Sequence, residues 1–137
     1  MDVEVNYLAV LLATVAAMVV GYVWYNPKVF GNAWIKLAKI DPKASNMTWS
    51  MGSALVGSFL MAFVLAHLTF LANSFYNNEF IYDALLTGFW VWLGFQFLRP
   101  FMHDQFNQRR KKESLIHMGN DFVTIMVMAL VIGLLGV

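Results

Sequence analysis

The sequence contains no cysteine and little charge. Only 12% of its 137 residues are Asp, Glu, Lys or Arg. Without cysteine, disulfides, thiolate catalysis and cysteine-ligated metal centres are excluded. Soluble domains carry about a quarter of their residues as charged side chains. A charge content at half that level excludes an ordinary soluble enzyme. The formal net charge of +1 argues against nucleic-acid binding, which requires a concentrated basic face.

Apolar residues are abundant instead. Hydrophobic residues make up 60% of the chain and aromatic residues 16%, and the mean hydropathy is +0.62. A small domain keeps a large surface for its volume, so it cannot bury this many apolar side chains away from water. We therefore expect lipid to cover much of the surface. The length allows one domain, over residues 1–137.

Four apolar segments are long enough to cross a membrane. A transmembrane helix needs about 20 apolar residues to span about 30 Å of hydrocarbon. The sequence predicts such helices at about residues 5–25, 49–71, 81–98 and 115–137. The first segment lacks the basic start of a signal peptide, since Asp2 and Glu4 precede it. The predicted fold is an all-α, integral membrane four-helix bundle.

The basic residues predict the orientation of this bundle. All nine lysines and arginines fall within two loops, residues 26–48 and 99–114. Short loops rich in Lys and Arg remain on the cytoplasmic side of a membrane. Both termini are therefore expected outside, and the protein is expected to be a multi-pass protein of the cell's inner (plasma) membrane.

Small residues recur at every fourth position in the first two predicted helices, and this spacing places each set on one helix face. The two sets are Ala9, Ala13, Ala17 and Gly21, and Ala54, Ser58, Ala62 and Ala66. Lipid does not drive helices together, so close approach of small residues has to hold them. We predict that these faces pack the first helix against the second. Contact with another protomer is the alternative.

The first loop contains a predicted amphipathic helix at about residues 27–39. Pro27 suits a first helical turn, and Asn26 can cap it. Apolar and aromatic residues on one side and lysines on the other are typical of a helix lying in the headgroup region. The predicted interface anchors are Trp24, Tyr25, Pro27, Phe30, Trp34 and Trp49.

A family resemblance rests on the residues that follow the first helix. Residues 24–34 read Trp-Tyr-Asn-Pro-Lys-Val-Phe-Gly-Asn-Ala-Trp. This segment resembles a Trp-Tyr-x-Pro-x-x-Phe-Gly-x-x-Trp signature in a family of small four-helix bacterial membrane proteins of unknown function. The resemblance implies the same fold over the whole chain. It implies no activity, cofactor or catalytic residue.

A candidate polar cluster lies where the third and fourth helices meet the predicted cytoplasmic loop. Its members are Gln96, Arg99, His103, His117 and Asp121. Ionisable residues within a membrane are functional candidates, because burying them is unfavourable. The simplest interpretation is an ion pair between Arg99 and Asp121, with the histidines at the interface. Pro100 is expected to disturb the polar stripe of the third helix.

A metal site is the alternative interpretation of the same region. His103-Asp104 and His117-x-x-x-Asp121 provide nitrogen and oxygen ligands, but the spacing does not force the two pairs together. We predict no metal, cofactor or catalytic residue. At the other membrane face, His67 and Asp83 are expected to form a hydrogen bond between neighbouring helices.

Three hypotheses for function follow. The first is a membrane protein that acts by association, with lipid around it and another copy or another membrane protein as its partner. The alternative is a channel or carrier for a small solute, lined by Trp90, Trp92, Gln96 and the Arg99/Asp121 pair. A second alternative is a membrane enzyme or metal protein that uses the histidines and Asp121.

Overall fold

The computed structural model describes residues 3–41, 43–44 and 46–136, and this part of the chain is helical without strands. The elements are α1 (Tyr7–Trp24), a π-helical segment (Pro27–Gly31), α2 (Asn32–Ala38), α3 (Met47–Tyr76), α4 (Phe80–Val91), a second π-helical segment (Trp92–Phe97), α5 (Leu98–Phe106) and α6 (Lys111–Leu135). Residues 1, 2, 42, 45 and 137 of the predicted domain lie outside the described residues.

Among the described residues, four helical stretches are long and apolar enough to span a membrane. They are Tyr7–Trp24, Met47–Tyr76, Phe80–Phe106 and Lys111–Leu135. The predicted all-α membrane bundle of four helices is confirmed. We call the end that carries Pro27–Ala38 and the turn at residues 107–110 the basic end. The opposite end, where α1 begins and α6 ends, is the terminal end.

Asparagine side chains cap the amino-terminal ends of two of the spans. Asn6 Oδ1 accepts a hydrogen bond from the Ala9 amide at 3.1 Å, and Asn46 Oδ1 accepts one from the Trp49 amide at 3.1 Å. An asparagine at this position satisfies an amide that has no partner within the helix. Polar residues beside the apolar runs therefore define where α1 and α3 start.

Pro100 does not end the third span, which continues from α4 through the second π-helical segment into α5. A proline within a helix lacks the amide proton, and its ring clashes with the carbonyl four residues earlier. That carbonyl belongs to Gln96, which lies within the π-helical segment. The local change of register accommodates the proline, so the span extends well beyond the predicted residues 81–98.

The core lies where α6 packs against α1 and α4 and where α3 closes on α1. Its buried apolar residues are Val10, Ala13, Ala17, Ala62, Leu65, Ala66, Ile125, Met128, Ala129 and Ile132. Ala9 is buried as well. Gly21 has open space where a Cβ would lie, Ala54 is exposed, and Ser58 Oγ lies 3.9 Å from Met18 Sδ. Small residues therefore face the core mainly over the terminal-end half of the bundle.

The helices α4 and α6 approach each other closely at two glycines. A Cβ on Gly133 would lie 2.8 Å from Ile81 Cα, and one on Gly88 would lie 3.0 Å from Ala129 Cβ. Ala84, one turn from both Ile81 and Gly88, is fully buried. Ala84 and Gly88 of the third span thus allow a close contact with α6. The sequence did not predict this role for them.

Candidate functional site

The segment that carries the family signature folds back onto α6. Trp24 Nε1 donates a hydrogen bond to the carbonyl of Ile116 at 3.0 Å. The Tyr25 hydroxyl lies 2.7 Å from His117 Nδ1. These two bonds join the end of α1 to the first turns of α6 at the basic end, across more than 90 residues of sequence.

Aromatic rings surround this junction. We call Trp24, Tyr25, Phe30, Trp34 and His117 the aromatic cluster. The Trp34 ring lies 4.9 Å from Tyr25 and meets His117 edge-on at 6.3 Å, between ring centroids. The Trp24 and Phe30 rings lie 4.5 Å apart. The loop helix α2 is therefore joined to the bundle through aromatic contacts.

Two glycines allow the aromatic cluster to form. A Cβ on Gly119 would lie 3.0 Å from Trp24 Cζ2, so the indole packs directly against the α6 backbone. A Cβ on Gly31 would lie 2.9 Å from the carbonyl carbon of Asn26, where the chain turns back after α1. Both positions require the absence of a side chain. This explains why a glycine follows the aromatic residue in the signature segment.

The hydrogen bond between Tyr25 and His117 joins two partly buried groups. Burial, with the Asp121 carboxylate adding to the effect, raises the pKa of Tyr25 to about 12. The phenol therefore remains protonated at neutral pH. Its hydroxyl group can donate to an unprotonated Nδ1 or accept from a protonated one, so the two groups satisfy each other in either tautomer. The pair thus acts as a contact between helices.

The predicted polar cluster does not assemble as expected. Arg99 and His103 are exposed, whereas Gln96, His117 and Asp121 are half-buried. The predicted ion pair between Arg99 and Asp121 is wrong, because no ion pair joins these two described residues. Arg99 lies on the outer face of the third span.

Arg109 forms the ion pairs at this end instead. Its guanidinium lies 3.3 Å from a carboxylate oxygen of Asp104 and 3.3 Å from one of Glu113. The Ser114 hydroxyl donates to Asp104 Oδ2 at 2.6 Å. The helices α5 and α6 are separated by a turn of only four residues, 107–110. The turn holds Arg109 between acidic side chains that the two helix ends present.

The residues considered for a metal site each have a different environment and do not share a common centre. His103 is exposed, Asp104 is bonded to Arg109 and Ser114, and His117 is bonded to Tyr25. Within the described residues, no three His, Asp or Glu side chains are grouped to hold a metal ion.

At the terminal end, Asp83 binds asparagines rather than His67. Its carboxylate oxygens accept hydrogen bonds from Asn73 Nδ2 at 2.8 Å and Asn78 Nδ2 at 2.9 Å. His67 Nδ1 donates to the Phe63 carbonyl of its own helix at 2.8 Å. The predicted hydrogen bond between His67 and Asp83 is therefore wrong. Asp83 is 1% exposed and closes the short connection between α3 and α4.

The side chains proposed to line a solute path face different surroundings. Trp90 is 59% exposed on the outer surface, whereas Trp92 Nε1 donates to the carbonyl of Met118 at 3.1 Å. Gln96 lies beside an apolar crevice between α3 and the third span. Its Oε1 is buried and has no hydrogen-bond partner. The two tryptophans and Gln96 therefore do not line one common path.

Comparison with known proteins assigns the chain to a family. The family model described as "Protein of unknown function (DUF1761)" matches residues 8–133. The chain belongs to the DUF1761 family. No curated protein matches the chain, and no solved structure matches it. Membership in DUF1761 agrees with the expected family of unknown function.

The match covers nearly all of the four spans of this DUF1761 chain and the whole aromatic cluster. The family description assigns no activity. The function therefore has to be inferred from the residues and their contacts.

Sequence reasoning missed several polar contacts. Asn73 and Asn78 flank the turn before Asp83, and this concentration of amides beside a carboxylate was an available signal. Asp104, Arg109, Glu113 and Ser114 form a network within eleven residues, a spacing compatible with a helical hairpin. The hydrogen bonds of Trp24 and Trp92 go to backbone carbonyls, which sequence does not distinguish.

Proposed function

We propose that this protein acts by association in the membrane, as a homodimer whose copies meet along the basic-end part of α3. One observation carries the proposal. Every residue from Met47 to Val56 is exposed, so ten consecutive residues of a membrane-spanning helix contact little else in the chain. The rest of α3 packs in the core through Ala62, Leu65 and Ala66.

The composition of this exposed part supports contact with a helix rather than with lipid alone. Ser50, Ser53 and Gly57 lie three and four residues apart, on one face of α3. Small side chains let two helix backbones approach closely, and this approach drives association in a bilayer. The hydroxyl groups of Ser50 and Ser53 already bond to their own helix, at 3.1 and 2.9 Å. The face is therefore compact and has no polar atom that demands a specialised partner.

A second copy is the partner that this face fits best. Two copies inserted in the same direction are related by an axis along the membrane normal, which brings the same patch together from each copy. The small residues Ser50, Ser53 and Gly57 of one copy would then meet those of the other. The exposed Trp49, at the start of α3, would flank the contact at the membrane surface.

The proposed dimer has both termini outside and lies in the inner membrane. The nine basic residues in two loops support this orientation, since positively charged loops remain on the cytoplasmic side. The aromatic cluster would then hold α2 against the cytoplasmic face of each copy.

The natural absence of cysteine gives a direct test. Ser53→Cys should form a disulfide-linked dimer in native membranes after mild oxidation. Ser74→Cys is the matched control, because it is an exposed serine at the other end of the same helix. Cross-linking should persist when the protein is diluted into excess lipid. This distinguishes a stable dimer from random collision.

A second variant tests the energetics. Ser53→Leu should shift single-molecule photobleaching in lipid from two steps to one, because the larger side chain separates the backbones. Ser74→Leu should leave two steps. Equal cross-linking at both cysteine positions, together with one-step bleaching of the unmodified chain, would refute the dimer.

The carrier and enzyme alternatives have less support. A carrier would need Trp90, Trp92 and Gln96 to face one path, and their contacts point in different directions. An enzyme using histidine would need free ring nitrogens in one cavity. His117 Nδ1 is bonded to Tyr25, and His103 is exposed.

A further inference from the structure

A crevice between α3 and the third span forms a small site of its own. Its walls include Leu60, Val64 and Leu65 from α3 and Val91 from α4, and Ile125 of α6 forms part of the floor. It encloses about 210 Å³ and is partly open at the surface. Leu60 and Val64 are exposed at its edge, so the crevice opens toward the region that lipid occupies.

One polar side chain interrupts these apolar walls. Among the described residues that line the crevice, only Gln96 is polar, and none is charged. Its Oε1 is buried without a hydrogen-bond partner. A buried acceptor with no partner is unfavourable, and most such atoms in folded proteins are satisfied. Within the membrane no bulk water replaces the missing partner.

The backbone at Gln96 is unusual as well. The residue lies in the π-helical segment Trp92–Phe97, within an otherwise α-helical span. Single π-helical turns of this kind are frequent at functional sites, because they redirect side chains. The terminal torsion of a glutamine has broad minima. Rotation about that bond can therefore turn the amide toward a molecule in the crevice.

The neighbouring face of α6 has the same character. Asn120 Oδ1 and Thr124 Oγ1 are also buried without partners. A threonine within a helix usually bonds to the carbonyl four residues earlier, as Thr14 does to Val10 at 2.8 Å. Thr69 Oγ1 of α3 is unpaired as well, so among the described residues such atoms occur on α3, on the third span and on α6, the three helices that line the crevice.

We propose that the crevice binds an uncharged, lipid-soluble molecule that has a ring-sized apolar body and one hydroxyl donor, with the hydroxyl bonded to Gln96. The uncharged walls exclude an ionic ligand, and the unpaired oxygen calls for a donor. An apolar protein cavity of about 150 Å³ holds one benzene ring. The larger crevice therefore fits a substituted phenol, reached from the bilayer.

A photoreactive phenol tests this site in the full-length protein in lipid nanodiscs. The probe is a trifluoromethyl-diazirinyl phenol, and its methyl ether is the matched compound without a donor. Mass spectrometry should find phenol labels at Ile125 and Leu65, displaced by 4-butylphenol. The ether should label lipid-facing residues without this preference.

Variants separate the hydrogen bond from the cavity. Gln96→Leu keeps a similar size but removes the acceptor, and it should raise the 4-butylphenol concentration needed for displacement by about fivefold or more, the value of one hydrogen bond. Val64→Phe should fill the crevice and abolish labelling at Ile125. Val15→Phe, an equally exposed valine on α1, should change nothing.

The outcomes are distinct from those of the dimer test. Ser53→Leu should leave the labelling of Ile125 unchanged, since the crevice is formed by one chain. Loss of labelling in that variant would overturn a site within a single chain. Equal labelling of Ile125 by the phenol and the ether, unchanged by Gln96→Leu, would overturn the proposal outright.

Discussion

Gly133→Ala should destabilise the bundle, because α4 lies too close to α6 at this position for any side chain. The added Cβ would lie 2.8 Å from Ile81 Cα and 3.1 Å from Ala84 Cβ. Ordinary contact begins at 3.4 Å, so the nearest atom is 0.6 Å too close, and it belongs to the backbone. A rotamer change cannot relieve the clash. The two helices have to separate.

The size of the effect follows from two opposing contributions. Overpacking a well-packed core costs about 1–3 kcal/mol. Replacing glycine by alanine within a helix contributes up to about 1 kcal/mol of stability. With a cost near the middle of that range, we expect a net loss of about 1 kcal/mol for Gly133→Ala. Gly21→Ala is the matched control, because among the described residues no atom beyond the neighbouring helix backbone lies within 4 Å of its Cβ position. This control should gain up to about 1 kcal/mol.

Unfolding in mixed micelles with increasing SDS, followed by far-ultraviolet circular dichroism, measures both variants. The two free energies of unfolding should differ by about 2 kcal/mol, since the variants share the propensity gain but not the clash. If Gly133→Ala were as stable as Gly21→Ala, the close approach of α4 to α6 would be refuted.

Two further predictions concern the ends of the bundle. Burial raises the pKa of Tyr25 to about 12 from the ordinary 10.0, so the folded state loses stability as the pH rises through this range. The stability difference between the unmodified chain and Tyr25→Phe should shrink from pH 10 to 12 in SDS titrations, and a constant difference would contradict the burial of the phenol. For the orientation, an impermeant maleimide should label Ser74→Cys in intact cells and Asn107→Cys only after lysis, and the reverse pattern would contradict termini on the outside.

The number of spans was predictable from the sequence because it depends on the hydropathy summed along each segment. Four runs of apolar residues determine four spans, whichever side chains finally meet. The observed ends differ from the predicted ones mainly where polar residues continue a helix. The span Met47–Tyr76 includes Ser74 beyond the apolar run, and Phe80–Phe106 continues through Pro100. Apolar patterns do not reveal either extension.

Specific polar partners were not predictable. Arg99 and Arg109 are both basic residues of one predicted loop, and only the tight turn at residues 107–110 makes Arg109 the partner of Asp104. His67 and Asp83 lie at similar expected depths, yet two nearby asparagines satisfy the carboxylate first. Depth in a membrane follows from sequence position. The rotation of each helix about its axis does not.

The sequence by itself therefore determined a membrane bundle with four spans and one basic end, because hydropathy and charge act through the number and order of residues. The tertiary structure decided that Trp24 and Tyr25 join α1 to α6, and that Gln96 faces a crevice without a partner. These contacts depend on distances of a few ångströms between residues far apart in the chain. Such distances are set only when all the helices pack together.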